Sequence, residues 1–392
     1  MASDELYIGR EQTLVKHYIL EHYLERFARI IGSKWNSITY VDCFSGPWKA
    51  QSESFQDSSF AIALKELLEA KRQLTATGIR QSKPDLSIGC FFLEKDRNAY
   101  RDLETYAQSV SDAQVVTKNK ALEEAIPDIL AFVKSRGDTF TFIFIDPTGW
   151  TGFSLGLIRP LLKLNNCEVM INFMTSHIIR FVEHGDPANQ AGFNELFGPV
   201  DFRSRIAGKF GQDREDELVN CYRDAVAAAG NFRFACPAIV LHPQIDRTHF
   251  HLIYASRNPK GLEVFKDAER KAMQVMEEAR ANAQANSRLT QTGQMELFTA
   301  TESHSPAYYV HLRSRYLGAA HQWLQNEIQA SQVVDFDRAW MHVMSIPLVW
   351  SSDLTDWIIE RKKSGYLFVE GLAKAERVPK LGKGHRLVFA PK

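Results

Sequence analysis

Three acidic residues stand at the ends of short apolar runs: Asp42 in ITYVDCFSGP, Glu94 in GCFFLEKD and Asp146 in TFIFIDPTGW. An ionised carboxylate only accepts hydrogen bonds, and its two oxygens can hold both hydroxyls of a ribose or the N–H groups of an amine. Asp42 leads into a turn through Phe44, Gly46 and Pro47, where backbone N–H groups and the acid suit the carboxylate and amine end of a small ligand. Asp146 is followed by Pro147 and, three residues later, by Trp150. An exocyclic amine could be held by the acid and a backbone carbonyl, with its base stacked on the ring; such stacking is worth about 1–3 kcal/mol. The other reading is a strand-ending Pro-Gly turn whose tryptophan plugs the core. One acid at a strand end says little, but three along one rim point to a binding crevice.

Elements must bring the three together. Strand-like runs fall at 37–42, 87–94, 113–117, 140–146 and 168–173, with helical spacing at about 58–72, 96–108, 120–135 and 154–164, and a first helix over 11–31. Runs such as FTFIFID need cover on both faces, as in a parallel sheet. The alternation predicts a doubly wound, Rossmann-like α/β domain, with ligands outside the carboxyl ends of its strands. Its first loop lacks the glycines of a dinucleotide fold and carries Trp48 after Gly46 and Pro47. A ribose acid should lie ~20 residues past that loop, and Glu94 lies much farther on, beyond a segment (LTATGIRQSKPD) read as an exposed loop. NAD is disfavoured. S-adenosylmethionine, which has no pyrophosphate demanding close backbone approach, fits better and favours a methyltransferase-type sheet.

Taken in order, YVDCFSGP, FFLEKD, FIFIDPTGW, INF and HFHLIYASRNPKGLEVFKDA resemble the three-Cys-motif partner proteins, from the first helix to about residue 280. The resemblance implies a class I methyltransferase-like fold and a neighbour protein with three cysteines, itself similar to radical-SAM iron–sulfur proteins. Asp42, Phe44, Gly46 and Pro47 match the family's first motif, and Trp48 departs from its last glycine. Glu94, Lys95 and Asp96 match the second, with Glu94 on the ribose. Asn119 is either an adenine contact or a helix N-cap. Asp146-Pro147-Thr148-Gly149-Trp150 falls where amino-methyltransferases carry DPPY, without the second proline and the adjacent aromatic.

Beyond Phe173 the pattern is helical through about 174–229, then NFRFACPAIVL and HFHLIYASR read as a hairpin closing the sheet. Arg257, Asn258 and Lys260 at the next helix entry suit an anion, or are plain surface polarity. The expected domains are 1–280 and 306–392, joined by a polar linker over 281–305. Within the linker, Gln294, Leu297 and Phe298 resemble a sliding-clamp peptide, or dock on their own domain. The tail reads as three helices and a hairpin, a winged-helix-like module. From Arg361 to Lys392 there are nine Lys/Arg against two acids. Lys374, Arg377, Lys380, Lys383 and Arg386 suit phosphate contacts; a lysine-rich edge can also guard against strand pairing.

Overall, 47 basic residues balance 47 acidic ones, so no global field advertises nucleic acid or a membrane surface. Five scattered cysteines without a CxxC pair read as reduced thiols and not as a metal site. No apolar run reaches membrane-spanning length and the first residues do not read as a secretory signal, so a cytoplasmic protein is expected. Two functions stand at this point. One is S-adenosylmethionine-dependent methylation of nucleic acid, DNA before RNA. The other is a non-catalytic subunit that delivers DNA to the iron–sulfur partner.

Overall fold

A computed structural model describes residues 4–47, 50–182, 186–292 and 299–390. Trp48 and the clamp-like peptide Gln294–Phe298 lie outside them. The chain divides into two compact units, residues 1–235 with 239–304, and residues 305–392 with 236–238.

In the first unit seven strands form one sheet: β1 (Ser37–Asp42), β2 (Ser87–Leu93), β3 (Gln114–Lys118), β4 (Phe140–Ile145), β5 (Cys167–Phe173), β6 (Phe234–Leu241) and β7 (Thr248–Ser256). Their order is β3-β2-β1-β4-β5-β7-β6. The β1–β2, β1–β4, β2–β3 and β4–β5 pairs are parallel, while β7 runs antiparallel to β5. The helices before and between them are α1 (Glu11–Lys34), α2 (Ser59–Ala76), α3 (Arg97–Gln108), α4 (Leu122–Ser135) and α5 (Leu155–Leu162). Then follow α6 (Thr175–Phe181), α7 (Pro187–Phe197), α8 (Phe202–Ile206), α9 (Gly211–Gly230), α10 (Pro259–Thr292) and α11 (Ala300–Ser303). This is a doubly wound, Rossmann-like sheet of the methyltransferase type. The order reverses between β1 and β4, where such folds bind ligands.

Alternation along each strand decides which face carries what. Tyr40 and Asp42 share a face with Phe92 and Phe142: the Tyr40 ring stacks on Phe142 at 6.0 Å, and Phe142 meets Tyr23 of α1 at 5.2 Å. Val41, Cys43 and Ile143 face the other way, into an apolar cluster with α4, α5 and α9. Each buried ring of this size contributes about 2–3 kcal/mol by leaving water. In register, Asp42 lies opposite Phe92 on one side and Phe144 on the other, so the carboxyl ends of β2, β1 and β4 finish level.

Two expectations of flexible chain fail. Arg80, in the presumed exposed loop after α2, is 5% exposed. It donates to the carbonyls of Gly32, Trp35 and Pro84 and to Asn36 Oδ1, locking the entry to β1. The presumed linker is helical as far as Thr292. Ala is the strongest helix former, and Ala279 and Ala283, one turn apart, are both buried. His304 then ties back to Glu277 and Gln284 of α10 at 2.9 and 3.1 Å.

The second unit contains α12 (Ala307–Ser331), β8 (Val333–Asp335), α13 (Phe336–Met344), α14 (Ser351–Lys363), β9 (Leu367–Glu370) and β10 (Arg386–Phe389). Its sheet is antiparallel, in the order β8-β10-β9, and a long loop over 371–385 joins β9 to β10. Trp340, Trp357, Val343 and Leu387 are buried at its core. Among the described residues no helix is long and apolar enough to cross a membrane.

Candidate functional site

Asp42, the last residue of β1, is fully buried. Its Oδ1 accepts from the Phe44 N–H at 3.1 Å and its Oδ2 from Ser59 Oγ at 2.6 Å, at the start of α2. Burial pushes its carboxyl up to about 6, with Asp146 adding to the rise and the two donors opposing it. Ser45 knots the same turn: its Oγ donates to the Asp42 carbonyl and accepts from the Leu93 N–H, and its own N–H meets the Leu93 carbonyl at 2.8 Å. Beyond the turn, half-buried Gly46 and Pro47 lead into a loop held by Asp57. That carboxylate accepts from the Gln51 and Ser52 N–H groups and from Arg10, just ahead of α1. Phe44 packs on the apolar cluster beneath the sheet.

Glu94 follows β2 directly, is 3% exposed, and accepts from the Asp96 N–H at 2.6 Å. Asp96 caps α3 through the Asn98 and Ala99 N–H groups. Asn119 is not the cap it resembled: Ala121 holds that position in α4. Its Nδ2 donates instead to the Glu94 and Lys95 carbonyls at 2.9 and 3.1 Å, so the turn after β3 braces the turn after β2.

Asp146 is the least enclosed acid of the rim, its side chain 15% exposed. Lys16, on the second turn of α1, forms an ion pair with its Oδ2, and Asn172 of β5 donates to its Oδ1 at 2.7 Å. Neither partner was singled out in the sequence reading, although Asn172 lies in the INF run. Among the described residues the buried Oδ1 of Asn172 has no donor, and the buried hydroxyl of Tyr40, beside Asp42, has no partner. On the β7 side, His251 is buried against Thr175 Oγ1 at 2.7 Å and burial holds its imidazole down at about 3. His249 is held at about 4 by burial and by neighbouring His242, Arg247, His177 and Lys16. Both are neutral at physiological pH.

The sheet therefore gathers the three expected acids on one face. Glu94 and Asp146 each stand one strand away from Asp42 and two residues farther along, which spaces neighbours by about 8 Å and the outer pair by about 10 Å. The orphaned Asn172 acceptor and the Asp146 carboxylate fit a ligand that presents N–H donors. Pro147 is buried behind the acid. Trp150 stacks on Phe193 at 5.5 Å and tilts against Phe181 at 5.1 Å. Of its two expected roles, plugging the core is the one its surroundings fill. Arg257 is likewise no anion ligand: its guanidinium donates to the carbonyls of Leu162, Leu164, Asn165 and Gly230 and lies over Phe232.

In the second unit Lys374, Arg377, Lys380, Lys383 and Arg386 are all exposed. Two are neutralised locally, Arg386 by Glu370 across the strand pair at 2.7 Å and Lys380 by Glu376 at 3.1 Å.

No family model and no curated protein matches the chain. Solved structures similar to it include protein LPL1258 from Legionella pneumophila, described as DUF519, at 10% identity and a TM-score of 0.36 over 66% of this chain and 92% of that one. A second is an O-methyltransferase family protein from Burkholderia thailandensis, at 13% identity and a TM-score of 0.27, covering 65% of this chain and 63% of that one. A third is a loganic acid methyltransferase solved with SAH, at 9% identity and a TM-score of 0.30, covering 74% of this chain and 93% of that one.

Proposed function

We propose that the chain is an S-adenosylmethionine-dependent methyltransferase acting on an amino group of nucleic acid, DNA in the first place. The observation that carries this reading is Asp146 at the sheet's switch point, its side chain 15% exposed, held by Lys16 and Asn172 beside Asp42 and Glu94. S-adenosylmethionine would supply an electrophilic methyl group that needs little further activation. Asp42 and the Gly46 turn orient its methionine end, Glu94 takes the ribose, and Asn119 braces the turn that carries Glu94. Asp146 and the Pro147 carbonyl accept from the target amine. Lys16 and Asn172 hold Asp146 aimed, so alignment supplies most of the rate.

The second unit supports a nucleic-acid substrate. Its helix–strand–helix–helix–strand–strand order, with β10 between β8 and β9, supports a winged-helix reading in which the 371–385 loop serves as the wing. Lys374, Arg377 and Lys383 carry its phosphate contacts. The three-cysteine partner rests on the family resemblance, and the clamp peptide falls on residues outside those described.

A non-catalytic recognition subunit remains the second reading, favoured by the enclosure of Asp42, whose two oxygens are already engaged. Calorimetry with S-adenosylmethionine separates the two. Micromolar binding by the wild type, weakened at least about tenfold by Glu94→Gln and by Asp42→Asn, supports the enzyme. An absence of binding alongside intact DNA affinity leaves the subunit.

A further inference from the structure

Phe210 is 80% exposed, more than any other large apolar side chain among the described residues. It forms the tip of the turn between α8 and α9, in the run Gly208-Lys209-Phe210-Gly211. It also holds the N-cap position of α9, where a side chain that accepts a hydrogen bond is preferred, and a phenyl ring accepts none. Both glycines sit in the left-handed region, at φ of 72° and 52°, with open space around them. The backbone shape, and not crowding, calls for glycine there. The stem is fixed. Lys209 and Arg205 both pair with Glu217 of α9, Arg205 also reaches Asp224 at 3.1 Å, and Phe202 stacks on Phe197 at 4.3 Å. An apolar ring is thus held out in water on a rigid mount, an arrangement that folding disfavours and binding uses.

The course of α9 fixes where this tip stands. Its last residue, Gly230, shares Arg257 with the turn before β5, so the helix ends at the amino end of that strand. Tyr222, near its middle, stacks at 4.5 Å on Phe173, the last residue of β5. The first half of α9 therefore reaches past the carboxyl ends of the strands. Phe210 precedes Tyr222 by twelve residues, about 18 Å of helix. The ring rises at the same end of the sheet as Asp146, whose strand β4 pairs with β5.

We propose that Phe210 is a wedge that enters the base stack of duplex nucleic acid and opens the pair whose amine meets Asp146. This rests on the nucleic-acid reading given above and makes the substrate a duplex. A base must leave the stack before its exocyclic amine can reach a pocket, and an inserted apolar side chain unstacks the step beside it. Residues 201–217 carry four bases and five acids, so the tip offers a ring and almost no field. Arg203 adds one phosphate contact: it is exposed, lies over the Phe202 ring at 4.5 Å, and donates to the amide oxygens of Asn194 and Gln190 and to no acid among the described residues. The ring works on DNA that phosphate contacts elsewhere on the chain already hold. Its loss changes base opening far more than affinity.

The test uses the full chain and a duplex carrying 2-aminopurine beside one mismatched pair, where opening is least costly. This base brightens when it leaves the stack. At saturating protein the wild type is expected to raise its emission at least about threefold. Phe210→Ala leaves the emission near that of the free duplex, while affinity read by anisotropy stays within about twofold and the melting temperature is that of the wild type. Phe210→Leu keeps an apolar wedge and most of the rise. A wild type that binds no DNA removes the nucleic-acid reading and this proposal with it. A wild type that binds DNA and leaves the probe dark, or a Phe210→Ala variant that brightens it equally, overturns the wedge alone and leaves the tip to a protein partner.

Discussion

Two residues set the chemistry of the rim, and each has a measurable signature. Asp42 titrates at about 6 in the folded chain against 3.8 when exposed, so the native state holds its proton more tightly than the unfolded state does. For a raised carboxyl the sign runs towards destabilisation: the cost is absent below about pH 4, grows through pH 4–6, and is fully present above. Its size is about 3 kcal/mol. Asp42→Asn should remove that slope, so urea unfolding at pH 4, 5, 6 and 7 should show the variant gaining on the wild type as pH rises. Parallel curves for the two proteins would show that Asp42 carries no such burden. Lys16 acts on the neighbouring acid. Lys16→Met leaves Asp146 half-buried without its cation, and methyl transfer should fall by about two orders of magnitude while S-adenosylmethionine affinity changes little. Single-turnover methylation beside calorimetry checks this; equal losses in both would make Lys16 a cofactor ligand.

At the scale of elements, Arg257 joins pieces that sequence spacing could not relate. Its guanidinium gathers carbonyls from the turn before β5 and from the end of α9. Arg257→Ala strands those carbonyls and should cost about 3 kcal/mol in urea unfolding, whereas a loss below about 1 kcal/mol would make the cluster incidental. The same residue shows where sequence reading stops. β1, β2, β4 and β5 were legible because each is a short apolar run, the first three ending at an acid, and parallel strands must be apolar on both faces. Asp42, Glu94 and Asp146 followed from those strand ends. Arg80 fell in a segment read as an exposed loop, and Arg257 stood as an anion contact or surface polarity, because an arginine buried on carbonyls has the same local pattern as one in water. Lys16 escaped for a related reason: it lies 130 residues from Asp146, and only the packing of α1 across the strand ends joins them. The extension of α10 was obscured by asparagines and glutamines between the alanines that bury its inner face.

The charge of the whole molecule is zero, yet the sequence from Arg361 onward carries a net of +7, so the remainder carries −7. Long-range attraction to nucleic acid is therefore weak, and binding must come from contacts within a Debye length of about 8 Å. Among the basic residues of the 371–385 loop and β10, Lys380 and Arg386 spend their charge on Glu376 and Glu370. Lys374, Arg377 and Lys383 are exposed without an acidic partner among the described residues. Reversing these three to Glu should weaken DNA binding and lower the slope of log affinity against log salt by about 2–3, close to one counterion per lost phosphate contact. Reversing Lys380 alone should change the slope by well under one, since its charge is already offset. Fluorescence anisotropy between 50 and 200 mM salt reads both. S-adenosylmethionine affinity in the triple variant serves as the control, because the rim acids belong to the other unit. A triple variant with the wild-type salt slope would move the nucleic-acid surface elsewhere on the chain, and the winged-helix reading of the second unit would fall with it.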